Sequence, residues 1–434
     1  MEDFRFKKSW LSALVLLTFL VLAACSSDEE GGASEEGEAA EDPDTITAWA
    51  WDPNFNIAAL ETAKESYDGD VELDVIENAQ DDIVSKLNTG LSSGTMKGMP
   101  NIVLIEDQRA QSFLQSYPEA FFPIDDYINP EDFASYKLAP TSLDDKQYGL
   151  PFDTGVTGLF FRTDYLEEAG YTMEDLTDIT WEEYIEIGQD VKETTGKDMI
   201  SLDPNDLGLI RVMIQSAGAW YVDEEGTNVN IEGNEPLRKA FENYKAMMEA
   251  DFVKANSDWS QFIASFNSGD VATVPSGNWI GASIEAEESQ AGDWAVAPIP
   301  RLDMEGAVNA SNQGGSSFYV LNVPGKEKAA EFLGQTFGEN EEFYQDLVND
   351  VGAIGTYTPA SDGEAYQTEN EFFGGQSLIS DFSTWVEDIP SVNYGMHTYS
   401  IEDILAAEMQ NYLKGKSLDD AFADAQAQAE AQLK

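Results

Sequence analysis

The sequence predicts an α/β chain folded as two lobes, and three observations carry that expectation. Strand-like and helix-like segments alternate from Thr45 onward. A second block of strands leading into a helix begins near Tyr148. Roughly 390 residues follow Pro43, more than one hydrophobic core usually holds.

Residues 45–51 (TITAWAW) read as a strand, and Ile57–Tyr67 as a helix turning Ile57, Leu60, Ala63 and Tyr67 inward. Val71–Ile76 alternates apolar and acidic residues, the pattern of a half-buried strand. Asp82–Leu91 carries Ile83, Leu87 and Leu91 on one helical stripe, and Asn101–Ile105 (NIVLI) is a short run of buried-strand type. From Tyr148 (YGLPFDTGVTGLFFRTDYLEEAG), a turn and two strand-like runs lead into a helix starting near Thr163. Thr180-Trp-Glu-Glu183 is a capping box opening a helix over Trp181–Thr194, because the threonine hydroxyl and the glutamate satisfy each other's free backbone N–H groups. Pro236–Ala250 reads as an amphipathic helix with proline in its first turn. Phe318–Val323 then Glu327–Phe337 return to βα character, and the C-terminal third is helical, ending in Ser417–Leu433.

The N-terminus has a different logic. Arg5, Lys7 and Lys8 precede an apolar stretch from Trp10 to Ala24, the order of a secretory signal, and the stretch is short for a transmembrane helix. Leu22-Ala-Ala-Cys25 resembles a bacterial lipobox, which implies that residues 1–24 are removed and Cys25 is diacylated. Two acyl chains suffice for stable anchoring, so the expected location is the outer face of a cytoplasmic membrane. Residues 26–43 contain eight acids, no bases and no large apolar side chain, so they form a tether rather than a fold.

Composition excludes several chemistries. Cys25 is the only cysteine and His397 the only histidine, which leaves no disulfide within the chain and no thiolate zinc site, and argues against a His-based metal cluster or a Ser-His-Asp triad. No metal or cofactor is expected. A net charge of −59 repels phosphate backbones and argues against nucleic acid as a partner. Salt screens such charge within a few ångström, so it suits a chain from a saline setting and says little about a ligand.

Several ordered segments together resemble the extracellular solute-binding proteins of ABC importers, in particular the maltose-binding-like carbohydrate group. They are Tyr148-Gly-Leu-Pro-Phe-Asp153, Phe266-Asn-Ser-Gly-Asp-Val-Ala-Thr-Val-Pro-Ser-Gly-Asn-Trp279, Ala297-Pro-Ile-Pro300, and Gly314-Gly315 with the later Lys328-Ala-Ala-Glu-Phe-Leu333. Lys414-Gly-Lys-Ser417 and Ala421 complete the set, although Phe422 stands where the family usually has leucine. The opening Trp49-Ala-Trp-Asp-Pro-Asn-Phe55 is most similar to members taking lactose-like or arabino-oligosaccharide ligands. The resemblance implies a bilobal periplasmic-binding-protein-like fold with the ligand between the lobes. Lobe one would be 44–152 plus 298–356, and lobe two 153–297 plus 357–434. It also implies a monomeric receptor that hands an oligosaccharide to permease subunits without altering it.

A pyranose shows an apolar C–H face and a rim of hydroxyls, so its site needs flat aromatic surfaces with carboxylates or amides around them. Such groups are sought just after the strands. Asp52 and Asn54 follow the first strand, beside Trp51. Asp107 follows NIVLI, and Asp153 sits where the chain enters the second block. Trp220 and Trp279 lie among small residues and are read as stacking surfaces; Gly315 and Ser316 offer donors; Tyr357 and Trp385 match cleft-lining positions of the family. Two other readings stay open: a surface glycoside hydrolase or lyase with paired carboxylates, and an osmolyte binder with an aromatic cage.

Overall fold

The computed structural model describes residues 44–433; the signal-like segment, Cys25 and the acidic tether lie outside the described residues. Two sheets organise the chain. In the five-stranded sheet, Thr45–Ala50 runs parallel to both Glu72–Glu77 and Ile102–Glu106. Ser316–Val320 enters antiparallel beside Ile102–Glu106, and Gly149–Pro151 closes that edge. Interior strands with cores on both faces have no solvent side, so they read as continuous apolar runs. Ala48 and Ala50 accordingly join one hydrophobic cluster with Leu60, Leu104, Phe152 and Phe318, while Trp49 faces the other way, onto Leu87, Phe113 and Tyr319.

The second sheet has three antiparallel strands, with Thr157–Arg162 between Thr273–Gly277 and Trp294–Pro298. Alternation across the pleat splits its central strand: Leu159 and Phe161 enter a core with Trp181, Tyr184, Phe241 and Met409, and Phe160 enters another with Val274, Trp294 and Phe382. A small parallel pair, Ile200–Leu202 with Val253–Ala255, belongs to this half.

The chain crosses between the halves after Pro151, after Pro298 and again beyond Tyr366. Tyr357, Ala360, Ala365 and Tyr366 still pack in the core of the first sheet, whereas Phe373 and Leu378 pack in that of the second. The first two crossings pair with each other, Gln313 donating its N–H to the Gly155 carbonyl at 2.8 Å. The first is also bonded to Ile354, which accepts from Thr154 N–H at 3.2 Å.

Helices fall within a residue or two of the expected bounds at Asn56–Ser66, Gln80–Ser93, Trp181–Thr195, Glu235–Glu249 and Leu418–Gln432. Two elements differ. The strand expected to reach Val323 runs Ser316–Val320, and beyond it Leu321 N–H still bonds the Asn101 carbonyl, one step further along the same ladder. The helix expected through Phe337 is α-helical only over Lys326–Leu333 and continues as a π turn. There Gly334 lies so near the Tyr127 carbonyl that a Cβ would stand 2.5 Å from its oxygen. The capping box is present, with Thr180 accepting from Glu183 N–H and Glu183 accepting from Thr180 N–H. Thr180→Ala should therefore cost about 1 kcal/mol in denaturant unfolding.

Candidate functional site

Where the strand Ile102–Glu106 ends, the chain turns directly into the helix Asp107–Ser116. Asp107 is buried and ion-pairs with Lys137, a fully buried lysine absent from the sequence-based candidates. An ammonium has three protons to place. Lys137 directs one to Asp107 Oδ2, one to the Asp153 carbonyl and one to the Ser316 carbonyl, the last two at 2.9 Å. Ser317 Oγ donates to the other Asp107 oxygen at 2.7 Å. Asp153 Oδ1 in turn accepts from Ser316 N–H at 2.6 Å and Oγ at 2.8 Å. Burial pushes the Asp107 carboxyl up, and Lys137 and Ser317 pull against that rise. Gly315 has φ of 88°, and a Cβ there would lie 3.0 Å from Asp107 Oδ2, so glycine suits both the backbone and the space.

The structure thus brings Asp107, Asp153, Gly315 and Ser316 together, around a buried ammonium at the crossing segments. The turn after the first strand is separate. Asp52 Oδ1 accepts from Asn54 N–H at 2.8 Å, and the buried Asn56 side chain holds the N–H groups of Trp51 and Asp52 at 3.1 and 3.0 Å. Trp51 is partly buried against the first-sheet cores.

The aromatic candidates divide. Trp220, read from its small neighbours as a stacking surface, is only 2% exposed; its indole donates to Thr398 Oγ1 at 2.9 Å and its ring packs on Tyr394. Glycine and alanine around it make room for neighbouring rings rather than for a ligand. Tyr357 is buried and stacks on Tyr344. Trp385 is half-buried, edge-on to Phe382.

Trp279 stands 38% exposed, at the end of the strand Thr273–Gly277. Its indole N–H donates to the Gln313 carbonyl at 2.9 Å. A Cβ on Gly277 would come within 2.2 Å of that indole nitrogen, so the glycine is what lets the ring lie there. Beside it is Trp259, 55% exposed, with ring centroids 5.8 Å apart and planes tilted by 40°. The two indoles wall a cavity of about 340 Å³ that is also lined by Asp203, Asp206, Asp258 and Gln313. Among the described residues, only Ile76 joins them as a large exposed apolar side chain. Trp259 was missed because Trp259, Phe262 and Phe266 fall at helical spacing and read as one core stripe. Its place at the first turn of the helix, after the Asp258 cap, lets it project past the core.

A polar seam joins the halves nearby. Tyr399 donates to Glu106 Oε1 at 2.6 Å, with the Arg109 guanidinium 4.0 Å above the tyrosine ring. Glu402, one turn along, pairs with Arg211. Gln108 Nε2, Arg211 Nε and Gln313 Oε1 are buried and carry no hydrogen bond within the protein.

Removing the cation but not its partner leaves a buried carboxylate uncompensated. Lys137→Met is expected to cost about 3–5 kcal/mol in denaturant unfolding. Adding Asp107→Asn should recover part of that loss.

Residues 58–374 match the family of bacterial extracellular solute-binding proteins. A lactose-binding protein of Rhizobium radiobacter is 42% identical over 392 residues, covering 89% of this chain and 93% of that protein. An arabinooligosaccharide-binding protein of Halalkalibacterium halodurans is 24% identical, covering 76% of this chain and 75% of its own. In fold, the chain is similar to the galacto-N-biose-/lacto-N-biose I-binding protein of a Bifidobacterium longum ABC transporter. That structure superposes with a TM-score of 0.69 at 21% identity, covering 90% of this chain and 96% of that one. With that family matched over most of its length and a relative sharing two residues in five, the chain belongs to the bacterial extracellular solute-binding proteins.

Proposed function

We propose that this protein is a carbohydrate receptor that delivers a di- or oligosaccharide to the permease of an ABC importer. The observation that carries the reading is the pair of exposed indoles over a cavity bordered by carboxylates and an amide. Indole faces cover the C–H side of a sugar ring, and the acid and amide groups bond its hydroxyls. The names of the lactose- and arabinooligosaccharide-binding relatives support the same ligand class.

The lobes would close on the ligand by bending at the crossing segments, and the permease would read the closed form. The first lobe would hold the five-stranded sheet and the stretch from its strand Ser316–Val320 to Tyr366, the second the three-stranded sheet and the C-terminal helices. Cys25 would carry the lipid anchor, with residues 26–43 as an acidic tether spanning roughly 24 Å in root-mean-square terms. No bond in the sugar would be made or broken, and the receptor would work as a monomer.

A calorimetric screen over neutral di- and trisaccharides, lactose included, tests this directly. At least one is expected to bind with a dissociation constant near or below the micromolar range and to be recovered unchanged by chromatography. Recovery of hydrolysed or eliminated products would favour an enzyme instead, and saturable binding of betaine alone would favour an osmolyte receptor. Trp279→Ala should weaken sugar binding by about 1–3 kcal/mol with little change in the unfolding midpoint. An unaltered affinity would remove the indole from the site.

A further inference from the structure

Building on the saccharide reading, we propose that the cavity selects by charge: it takes neutral and amine-bearing saccharides and rejects uronates and sugar phosphates, with Asp206 as the specificity-determining residue. The cavity wall contains Asp203, Asp206 and Asp258, and no lysine, arginine or histidine among the described lining residues.

The cations near the groove lie outside the residues that line it, and each has a carboxylate partner. Arg211 pairs with Glu402, Arg109 pairs with Glu106 at 3.2 Å while stacking on Tyr399, and Lys137 is spent on its three acceptors. A ligand carboxylate would find no guanidinium or ammonium among the residues that line the cavity, and Arg211, whose Nη2 would lie 3.6 Å from a Cβ on Gly208, already shares its charge with Glu402. Because burial removes the water that otherwise solvates an ion, such an anion would be held at a loss.

The acids differ in what they have left to offer. Both oxygens of Asp258 are engaged by Gln261, at 2.9 and 2.7 Å. Asp203 uses Oδ1 for the backbone and side chain of Asn205. Asp206 uses Oδ1 for Gly208 N–H at 2.7 Å, and its Oδ2 has no hydrogen bond among the described residues. Gly208 is where the groups converge: a Cβ there would meet Gln313 Nε2 at 3.0 Å, Asp206 Oδ1 at 3.2 Å and Arg211 Nη2 at 3.6 Å. Asp206 therefore stands beside the amide that faces the cavity, with an acceptor available for a hydroxyl or an ammonium. The two indole faces add a surface that attracts a cation and not an anion.

The test is calorimetry with matched triplets built on lactose and on cellobiose: the neutral disaccharide, its 2-amino-2-deoxy form and its 6-uronate form. At 10 mM salt the uronate is expected to bind roughly tenfold or more weakly than the neutral sugar, and the amine form equally well or better. In Asp206→Asn the ratio between neutral and uronate forms should shrink at least threefold. Asp346→Asn, a surface acid on the helix Glu341–Val351 far along the chain, should leave that ratio unchanged, which separates a local filter from the field of the whole acidic protein. Equal affinity for neutral and uronate forms, or a ratio that moves as much with Asp346 as with Asp206, overturns the charge filter while leaving the saccharide reading intact. Failure of every triplet member to bind, when the wider saccharide screen is also silent, overturns both.

Discussion

One buried ammonium joins the parts of this molecule that have to stay in register. Lys137 reaches a carboxylate at the end of an interior strand, a carbonyl of the first crossing segment and a carbonyl at the return into the first sheet. Buried charge is tolerated only when each proton and lone pair finds a partner. Here the need is met by Asp107, Ser317 and two backbone oxygens, while Asp153 ties down Ser316 from the other side. The crossing chain is thereby fixed against the first sheet, and the second half of the protein is hung from a defined point.

The binding surface is built from what that framework leaves uncovered. Indole rings prefer burial, and two of them exposed side by side mark a surface meant for contact. Trp279 is held open by the room at Gly277 and by its hydrogen bond to Gln313, a residue of the second crossing. That exposed ring is thus bonded to the chain that links the halves.

The same frame explains why carboxylates near the groove serve such different ends. Asp107 uses both oxygens at the crossing and Asp258 both at its helix cap, while Asp153 uses Oδ1 on Ser316 and Asp52 uses Oδ1 in its own turn. Asp203 and Asp206 line the cavity from a loop that precedes the helix Gly208–Ser216, each using Oδ1 within that loop. Residue type alone does not separate these roles, because a carboxylate after a strand is equally suited to capping, to ion pairing and to ligand binding.

What the sequence determined by itself is what depends on neighbours in the chain. Periodicity and caps set the helices Trp181–Thr195 and Glu235–Glu249, and apolar runs set the interior strands. The single cysteine and single histidine argued against a thiolate zinc site and a His-based metal cluster. Only tertiary structure decided which aromatic rings are free, burying Trp220 under Tyr394 while leaving Trp259 and Trp279 open. It alone paired Asp107 with a lysine thirty positions away and set Tyr399 against Glu106 across the sheets. Those outcomes turn on which surfaces the packed elements cover, and coverage depends on segments far apart in the chain, so no local pattern encodes it.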